Sequence, residues 1–315
     1  GSLHRFRTTD DKGGREAGAY VLHTDNIPSG YVQDWRKQIK ATWSMKVEND
    51  KRKFNVKAFN KEAQKRQQQR EKELQDKYNK AAELARIHFE ALPDSSIHSH
   101  DKNFHPYVKA KNIYPWNARL NNDTNALTIP LRDIDGNIKS LQWISADGQK
   151  RFYPGATTKG AFCNIYDSGI YEDSVILIGE GFATMSKVYE LTHLPCIAAM
   201  SAGNLQPVAE AFRKKYPNNK IFITADNDIA TEKKAGYNPG LDAANELVDL
   251  KLADAVIAPE LLKDIDDDCS DWNDYASKYG DDKARARLDH FIQWWSLSQD
   301  ERNEIETELA SKKVL

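Results

Sequence analysis

The sequence predicts an α/β protein whose second half is a parallel sheet flanked by helices. Before it come a small N-terminal module (1–55), a long charged helix (56–92) and a β-rich basic subdomain (93–168). After the sheet region (169–262) an acidic loop leads into a helical tail (263–315). Three observations carry this prediction. Residues 174–259 alternate short apolar runs with helix-length segments across short connections, the pattern of a parallel sheet with helices on both faces. Two of those runs, Val175 to Ile178 and Ile221 to Thr224, are β-branched and apolar, as buried parallel strands are. The stretch 56–92 holds no Gly or Pro and is packed with strong helix formers.

At 315 residues the chain has room for two or three domains. Charged residues make up 29%, and no apolar stretch approaches a membrane span, so no membrane partner is expected. The N-terminus reads as polar rather than as a signal peptide, with Gly1-Ser2 resembling an expression remnant. Cys163, Cys196 and Cys269 are far apart with no CxxC pair, which argues against a disulfide framework or zinc ribbon and for a reducing, cytoplasmic home. The net charge of −2 argues against a non-specific nucleic-acid coat but leaves room for a local basic groove.

Taken in order, the first module alternates short stretches such as Ala19-Tyr20-Val21-Leu22 with Gly and Pro, which predicts strands. The helix that follows is polar all round until Ala81, held by i,i+4 pairs such as Glu73–Lys77, and runs roughly 50 Å. It reads as a solvated spacer between modules, with a nucleic-acid-contacting arm as the alternative. Pro93 ends it, and a loop carries His98, His100 and His105; without a Cys or acid at ligand spacing these read as solvated histidines. A hairpin is predicted from 126–131, the turn Asp133-Ile-Asp-Gly136, and 138–144, followed by Lys150-Arg-Phe-Tyr-Pro-Gly155. The sheet region then predicts strands at 174–179, 195–200, 220–225 and 254–259, and helices at 182–192, 204–216 and 239–251.

The chemistry sits where the apolar runs end. Glu180 follows the first and Asp226 and Asp228 follow another, so all three are expected at the carboxyl edge where open α/β sheets bind ligands. A single acid after a strand is usually a turn residue or helix cap. Three together would repel unless a divalent cation lay among them, and hard oxygen donors suit Mg²⁺ or Mn²⁺. Gly181 would let backbone approach a ligand, and Asp226 and Asp228 would share a strand face. Arg132, Lys150, Arg151 and Lys159, interleaved with Trp143, Phe152, Tyr153 and Phe162, suit triphosphate or template-backbone contact with base stacking; a solvated hairpin is the plain alternative. In the acid-rich segment, Asp264 to Asp268 read as a solvated loop. Asp271, Asn273 and Asp274 could return to the same edge, Asp274 as a supplementary metal ligand, or serve as helix caps. Gly236 to Asp242 opens a helix and could offer N–H groups to a phosphate.

These residues resemble a known family. ILIGEGFAT matches the first motif of the Toprim domain, shared by bacterial-type primases, type IA and II topoisomerases and certain nucleases, and ITADND matches its Asp-x-Asp motif. Upstream, IPLRDIDGNIKSLQWI, KRFYPG and KGAFCNIY are similar in order and spacing to the basic subdomain of primases. HPYVKAKNI, GNLQPVAEAFRKKYPNNKIFITADND and SDWNDYASKYG resemble the conjugative-plasmid and phage branch, so the similarity covers roughly 103–280. The resemblance implies a Toprim-type sheet and a DNA primase core that joins nucleotides on a single-stranded DNA template. Glu180, Asp226 and Asp228 would hold divalent metal; Lys150, Arg151 and Lys159 would contact nucleotide or template. Nucleoside triphosphates and a replicative helicase are the further partners implied. No zinc-binding module precedes residue 103 and no GKS/T motif is present, which leaves initiation specificity open and supplies no motor. Two other readings stand beside this one: a Toprim nuclease using the same acids, and a non-catalytic module docking DNA or helicase.

Overall fold

A computed structural model of the chain describes residues 2–9, 11, 16–24, 28–35, 37, 39–45, 56–94, 100–166, 169–259 and 269–312. Two compact units are formed, Gly1–Gln67 and Gln68–Leu315, so the division falls within the long helix.

In the first unit, β1 (Leu3–Phe6), β2 (Gly18–His23), β3 (Ser29–Asp34) and β4 (Ile39–Ser44) make an antiparallel meander in sequential order. Gly18 and Gly30 lie directly beneath the rings of Phe6 and Trp43, where any side chain would collide.

The long helix α1 (Val56–Glu90) is one continuous element, and its last turns are not a solvated spacer. Ala85 and Phe89 are buried against Ile138, Leu141 and Tyr153. Arg119 caps the end of α1, donating to the carbonyls of Phe89 (3.0 Å) and Leu92 (3.1 Å). After α2 (Pro106–Lys111), a second antiparallel sheet runs β5 (Arg119–Asn121), β6 (Ala126–Arg132), β7 (Ile138–Ile144) and β8 (Lys150–Phe152), again in sequential order. Its alternating apolar residues point into the core: Leu127, Ile129 and Leu131 are fully buried.

The third sheet has five strands: β9 (Cys163–Ile165), β10 (Ile176–Gly179), β11 (Cys196–Ala198), β12 (Ile221–Thr224) and β13 (Ala255–Ile257). Their spatial order is β13-β12-β10-β11-β9. The last four are parallel, while β9 adds an antiparallel edge to β11. Thus Cys163–Ile165, grouped by the sequence with the upstream subdomain, joins this sheet. Helices α3 (Phe182–Thr192), α4 (Leu205–Lys215) and α6 (Pro239–Asp249) stand where the sequence predicts them. A short α5 (Ile229–Ala235) was not predicted. The tail is helical, with α7 (Trp272–Tyr279), α8 (Asp281–Ser296) and α9 (Gln299–Lys312). Among the described residues no helix is long and apolar enough to cross a membrane, and all three cysteines are free and buried.

The chain passes from β10 to β11 on one side and then returns to β12 on the other. The carboxyl ends of β10 and β12 therefore flank the point where strand order reverses, the place where such sheets form a ligand crevice.

Candidate active site at the carboxyl edge of the parallel sheet

Register fixes the first two acids. Gly179 pairs with Thr224, so Glu180 and Asp226 emerge from neighbouring strands within about one residue of each other. The glycine that this packing demands is Gly179, where a Cβ would overlap Met185 and Thr224; at Gly181, the cap residue of α3, only Thr184 comes near.

Glu180 accepts a hydrogen bond from the Ala202 backbone and its own carbonyl receives the Met200 N–H at 2.8 Å. Burial, then the charge of Asp228, raises its carboxyl pKa; the Ala202 N–H and Lys150 act against that rise. Asp226 is perturbed further, up to about 8, by burial first and then by Asp271, Glu180 and Asp228, with Lys150 opposing. Its Oδ1 is buried and has no hydrogen-bond partner among the described residues.

Asp228 is held differently. β12 ends at Thr224, so strand alternation does not align Asp226 with Asp228. Asp228 instead caps α5, its carbonyl receiving the N–H groups of Thr231 and Glu232. Its Oδ2 accepts the Gly240 N–H at 3.2 Å, and its own N–H donates to Asn238 Oδ1 at 3.1 Å. Leu241 N–H also goes to Asn238. The start of α6, expected to offer N–H groups to phosphate, thus gives one to Asp228 and one to its own cap residue, Asn238. The middle residue of the motif, Asn227, is buried; its N–H donates to Ser270 and its side-chain oxygen accepts from Asn238.

The Ser270 bond brings the start of α7 to this edge. Asp271 accepts from Thr184 Oγ1 at 2.9 Å and from the Asp274 N–H at 2.8 Å, and its charge acts on Asp226. Asp274 is turned elsewhere: Ser270 Oγ donates to its Oδ2 at 2.7 Å, and Lys111 Nζ lies 3.9 Å from its Oδ1. Asn273 is buried and donates to the Lys111 carbonyl. The stretch 264–268 lies outside the described residues.

The predicted basic residues separate into distinct places. Lys150 is the one whose charge reaches the acids, acting on both Glu180 and Asp226. Its strand is exposed, yet the ammonium end is drawn in, 5.7 Å from the Tyr107 ring centroid. Desolvation lowers its pKa, Lys111 adds to the lowering, and Glu180, Asp226 and Asp271 oppose it. Arg151 projects from the other strand face into a cavity of about 300 Å³ with Trp143 and Thr124. Arg132 donates to the Gly136 carbonyl and faces a cavity of about 410 Å³ lined also by Tyr166, Lys215 and Tyr216. Lys159 is exposed beside Gly160, whose N–H is fixed by Asn204 at 2.7 Å. Tyr107 and Lys111 of α2 were missed as site residues; HPYVKAKNI marks their segment, but only the tertiary fold brings them to the acids. Of the three loop histidines, His105 is not solvated: it is buried, caps α2 through Tyr107 N–H and contacts the Asn125 carbonyl at 3.1 Å. His100 packs on Tyr114 and Trp116, and His98 is outside the described residues.

Among the described residues no three carboxylate, His or Cys side chains form a ready-made metal cage. The donor set nonetheless fits a divalent cation. Glu180, Asp226, Asp228 and Asp271 put their charges together at a half-buried edge, and a carboxylate oxygen of Asp226 is buried with no hydrogen-bond partner among the described residues.

Residues 175–282 match the family model of the Toprim domain. The chain is 31% identical over 255 residues to the DNA primase TraC of Escherichia coli, covering 78% of this chain and 23% of that protein. A second Escherichia coli DNA primase TraC is 28% identical over 270 residues, covering 82% of this chain and 18% of that one. The chain therefore spans about a quarter or less of the curated relatives it matches. Among solved structures, the primase fragment of the bacteriophage T7 primase-helicase protein is similar at 17% identity with a TM-score of 0.42, over 57% of this chain and 72% of that one. With two parallel strands followed by Glu-Gly and Asp-Asn-Asp on either side of the switch point, residues 175–282 match the Toprim domain, and most of the chain is similar to part of the TraC DNA primases.

Proposed function

We propose that this chain is a DNA primase catalytic core that makes short oligonucleotide primers on single-stranded DNA by divalent-metal-dependent nucleotidyl transfer. Plasmid, phage or mobile-element replication is the setting, in the cytoplasm, with nucleoside triphosphates as substrates and a replicative helicase as a docking partner. The observation that carries this reading is the set of mutually repelling carboxylates at the switch point of a Toprim sheet, with Asp226 Oδ1 unpartnered.

In this reaction a 3′-hydroxyl oxygen bonds to the α-phosphorus of the next nucleotide, the bond to pyrophosphate breaks, and the hydroxyl proton is lost. Glu180, Asp226 and Asp228, with Asp271 beside them, are the residues that would hold Mg²⁺ or Mn²⁺, while Asp274, bonded to Ser270 and beside Lys111, stands outside this set. A divalent ion so bound supplies positive charge to the phosphoryl oxygens and makes the attacking hydroxyl more acidic. In the alternative arrangement, with the ion held by Asp226 and Asp228, Glu180 would instead accept that proton as a general base. Lys150 sets a cation against the same edge to orient the triphosphate for in-line attack. Lys159 supports the nucleotide beside the Asn204 turn. Arg151 with Trp143, and Arg132 with Tyr166, offer a cation and an aromatic ring to template phosphate and base.

Asp226→Ala tests this directly: template-directed synthesis should vanish while the thermal unfolding transition persists. A folded mutant that still synthesised would overturn the reading, and metal-dependent loss of template by the wild type would move it to a nuclease.

A further inference from the structure

The hydroxyl of Tyr107 has no task in the chemistry described so far. The residue is 7% exposed, and its O–H is buried without a hydrogen-bond partner among the described residues. An unpaired buried hydroxyl is destabilising and uncommon, so one that persists needs a reason. Its position supplies one. Lys150 Nζ stands over the Tyr107 ring at 5.7 Å, and the charge of Asp271 acts on Tyr107 as it does on Asp226 and Lys150. Lys111, four residues on, lies 3.9 Å from Asp274 and its charge acts on Lys150, so a second cation stands behind the phenol and the first.

These groups suit different parts of a nucleotide. The lysines match phosphate charge. The phenol adds no charge, but it can both donate and accept, which matches a neutral hydroxyl. A nucleoside triphosphate carries such hydroxyls on its sugar. ATP and 2′-deoxy-ATP both carry the 3′-hydroxyl that chain extension requires, so the hydroxyl by which a site can tell the two apart is the 2′-hydroxyl, which takes no part in bond formation.

We propose that Tyr107 is a specificity-determining residue whose hydroxyl hydrogen-bonds the ribose 2′-hydroxyl of a nucleotide bound at the acid edge. This rests on the nucleotidyl-transfer reading above. A site whose polar group is built to meet a substrate hydroxyl discriminates against the analogue lacking it, because its own group then stays unpaired. The isosteric variant Tyr107→Phe removes only that group.

The experiment compares wild type and Tyr107→Phe for incorporation of ATP and of 2′-deoxy-ATP on single-stranded DNA, alongside thermal melts of both proteins. The expected result is a roughly tenfold fall in the ribo-over-deoxy ratio of kcat/KM. The fall should come from the ribonucleotide, with a melting temperature equal to or above that of the wild type. A ratio unchanged within about twofold, or an equal loss for both nucleotides, would overturn the assignment to the sugar. So would a melting temperature lowered by several degrees, since the hydroxyl would then be bonded within the fold. Should the wild type incorporate neither nucleotide, the nucleotidyl-transfer reading is what fails. The ratio of dissociation constants for ATP and 2′-deoxy-ATP then decides the role of Tyr107 without turnover, and binding of neither would overturn it.

Discussion

Gly240 and Asp228 lock two turns together: the Gly240 N–H donates to Asp228 Oδ2 at 3.2 Å, and a Cβ at Gly240 would overlap the Asp226 carbonyl oxygen. The start of α6 is thereby pressed against both acids of the Asp-x-Asp turn. Gly240→Ala must push this backbone apart, at about 2 kcal/mol of stability. A displacement near 1 Å at reacting groups costs on the order of a hundredfold in rate. Chemical denaturation and primer-synthesis rates should both report the change; a variant as active and as stable as wild type would show that the contact is slack.

Asp226 couples stability to pH. With its folded pKa at about 8 and an ordinary value when unfolded, the folded state retains a proton that the unfolded state releases. The metal-free protein should therefore be most stable at low pH on this count, and lose that stability as pH rises from about 4 to about 8. Asp226→Asn should flatten the slope and raise the melting temperature in chelator at pH 8 by about 3–6 °C, for roughly 1–2 kcal/mol relieved. Melts across pH in chelator check this; an unaltered slope in the variant would place the charge burden elsewhere.

Asp271 and Asp274 should part company. Asp271 shares its field with Asp226, so Asp271→Asn should weaken Mn²⁺ binding by about tenfold or more. Asp274 bonds Ser270 and neighbours Lys111, so Asp274→Ala should cost about 1 kcal/mol in stability and leave metal affinity within a few-fold. Calorimetric titration of Mn²⁺ distinguishes them, and the reverse order would return Asp274 to the metal.

Lys187 is a structural cation. It is 1% exposed, 3.3 Å from Asp281 and 3.5 Å from Glu190, while Glu190 also meets Lys102 at 3.0 Å. Lys187→Ala should destabilise by about 3 kcal/mol, because carboxylates remain beside the space it leaves. Lys102→Ala, on the wetter side, should cost less than about 1 kcal/mol. Equal effects in urea titrations would contradict this division.

Much of this edge could be read from the amino-acid sequence because its signals are local. Apolar β-branched runs closed by acid specified β10 and β12, and parallel pairing then carries Glu180 and Asp226 to one edge. The signals failed where position depends on distant partners. Cys163–Ile165 has only three residues and becomes a strand by pairing with β11. The helix α5 follows the acids directly and holds a single large apolar residue, Ile229, so no periodicity announces it. Tyr107 and Lys111 lie far from the acids along the chain and near them only in the fold. Arg132 and Lys150 looked alike as surface cations, yet one faces a separate cavity and the other the acids. Spacing could not separate them.

The central claim, that the acids at the carboxyl ends of β10 and β12 perform metal-dependent nucleotidyl transfer, is tested most directly by following labelled nucleotide incorporation on single-stranded DNA with Mg²⁺, with Mn²⁺ and in chelator, for wild type and Glu180→Gln. Metal-dependent oligonucleotides that disappear in the variant are the predicted result. Oligonucleotides made equally well by Glu180→Gln would contradict it.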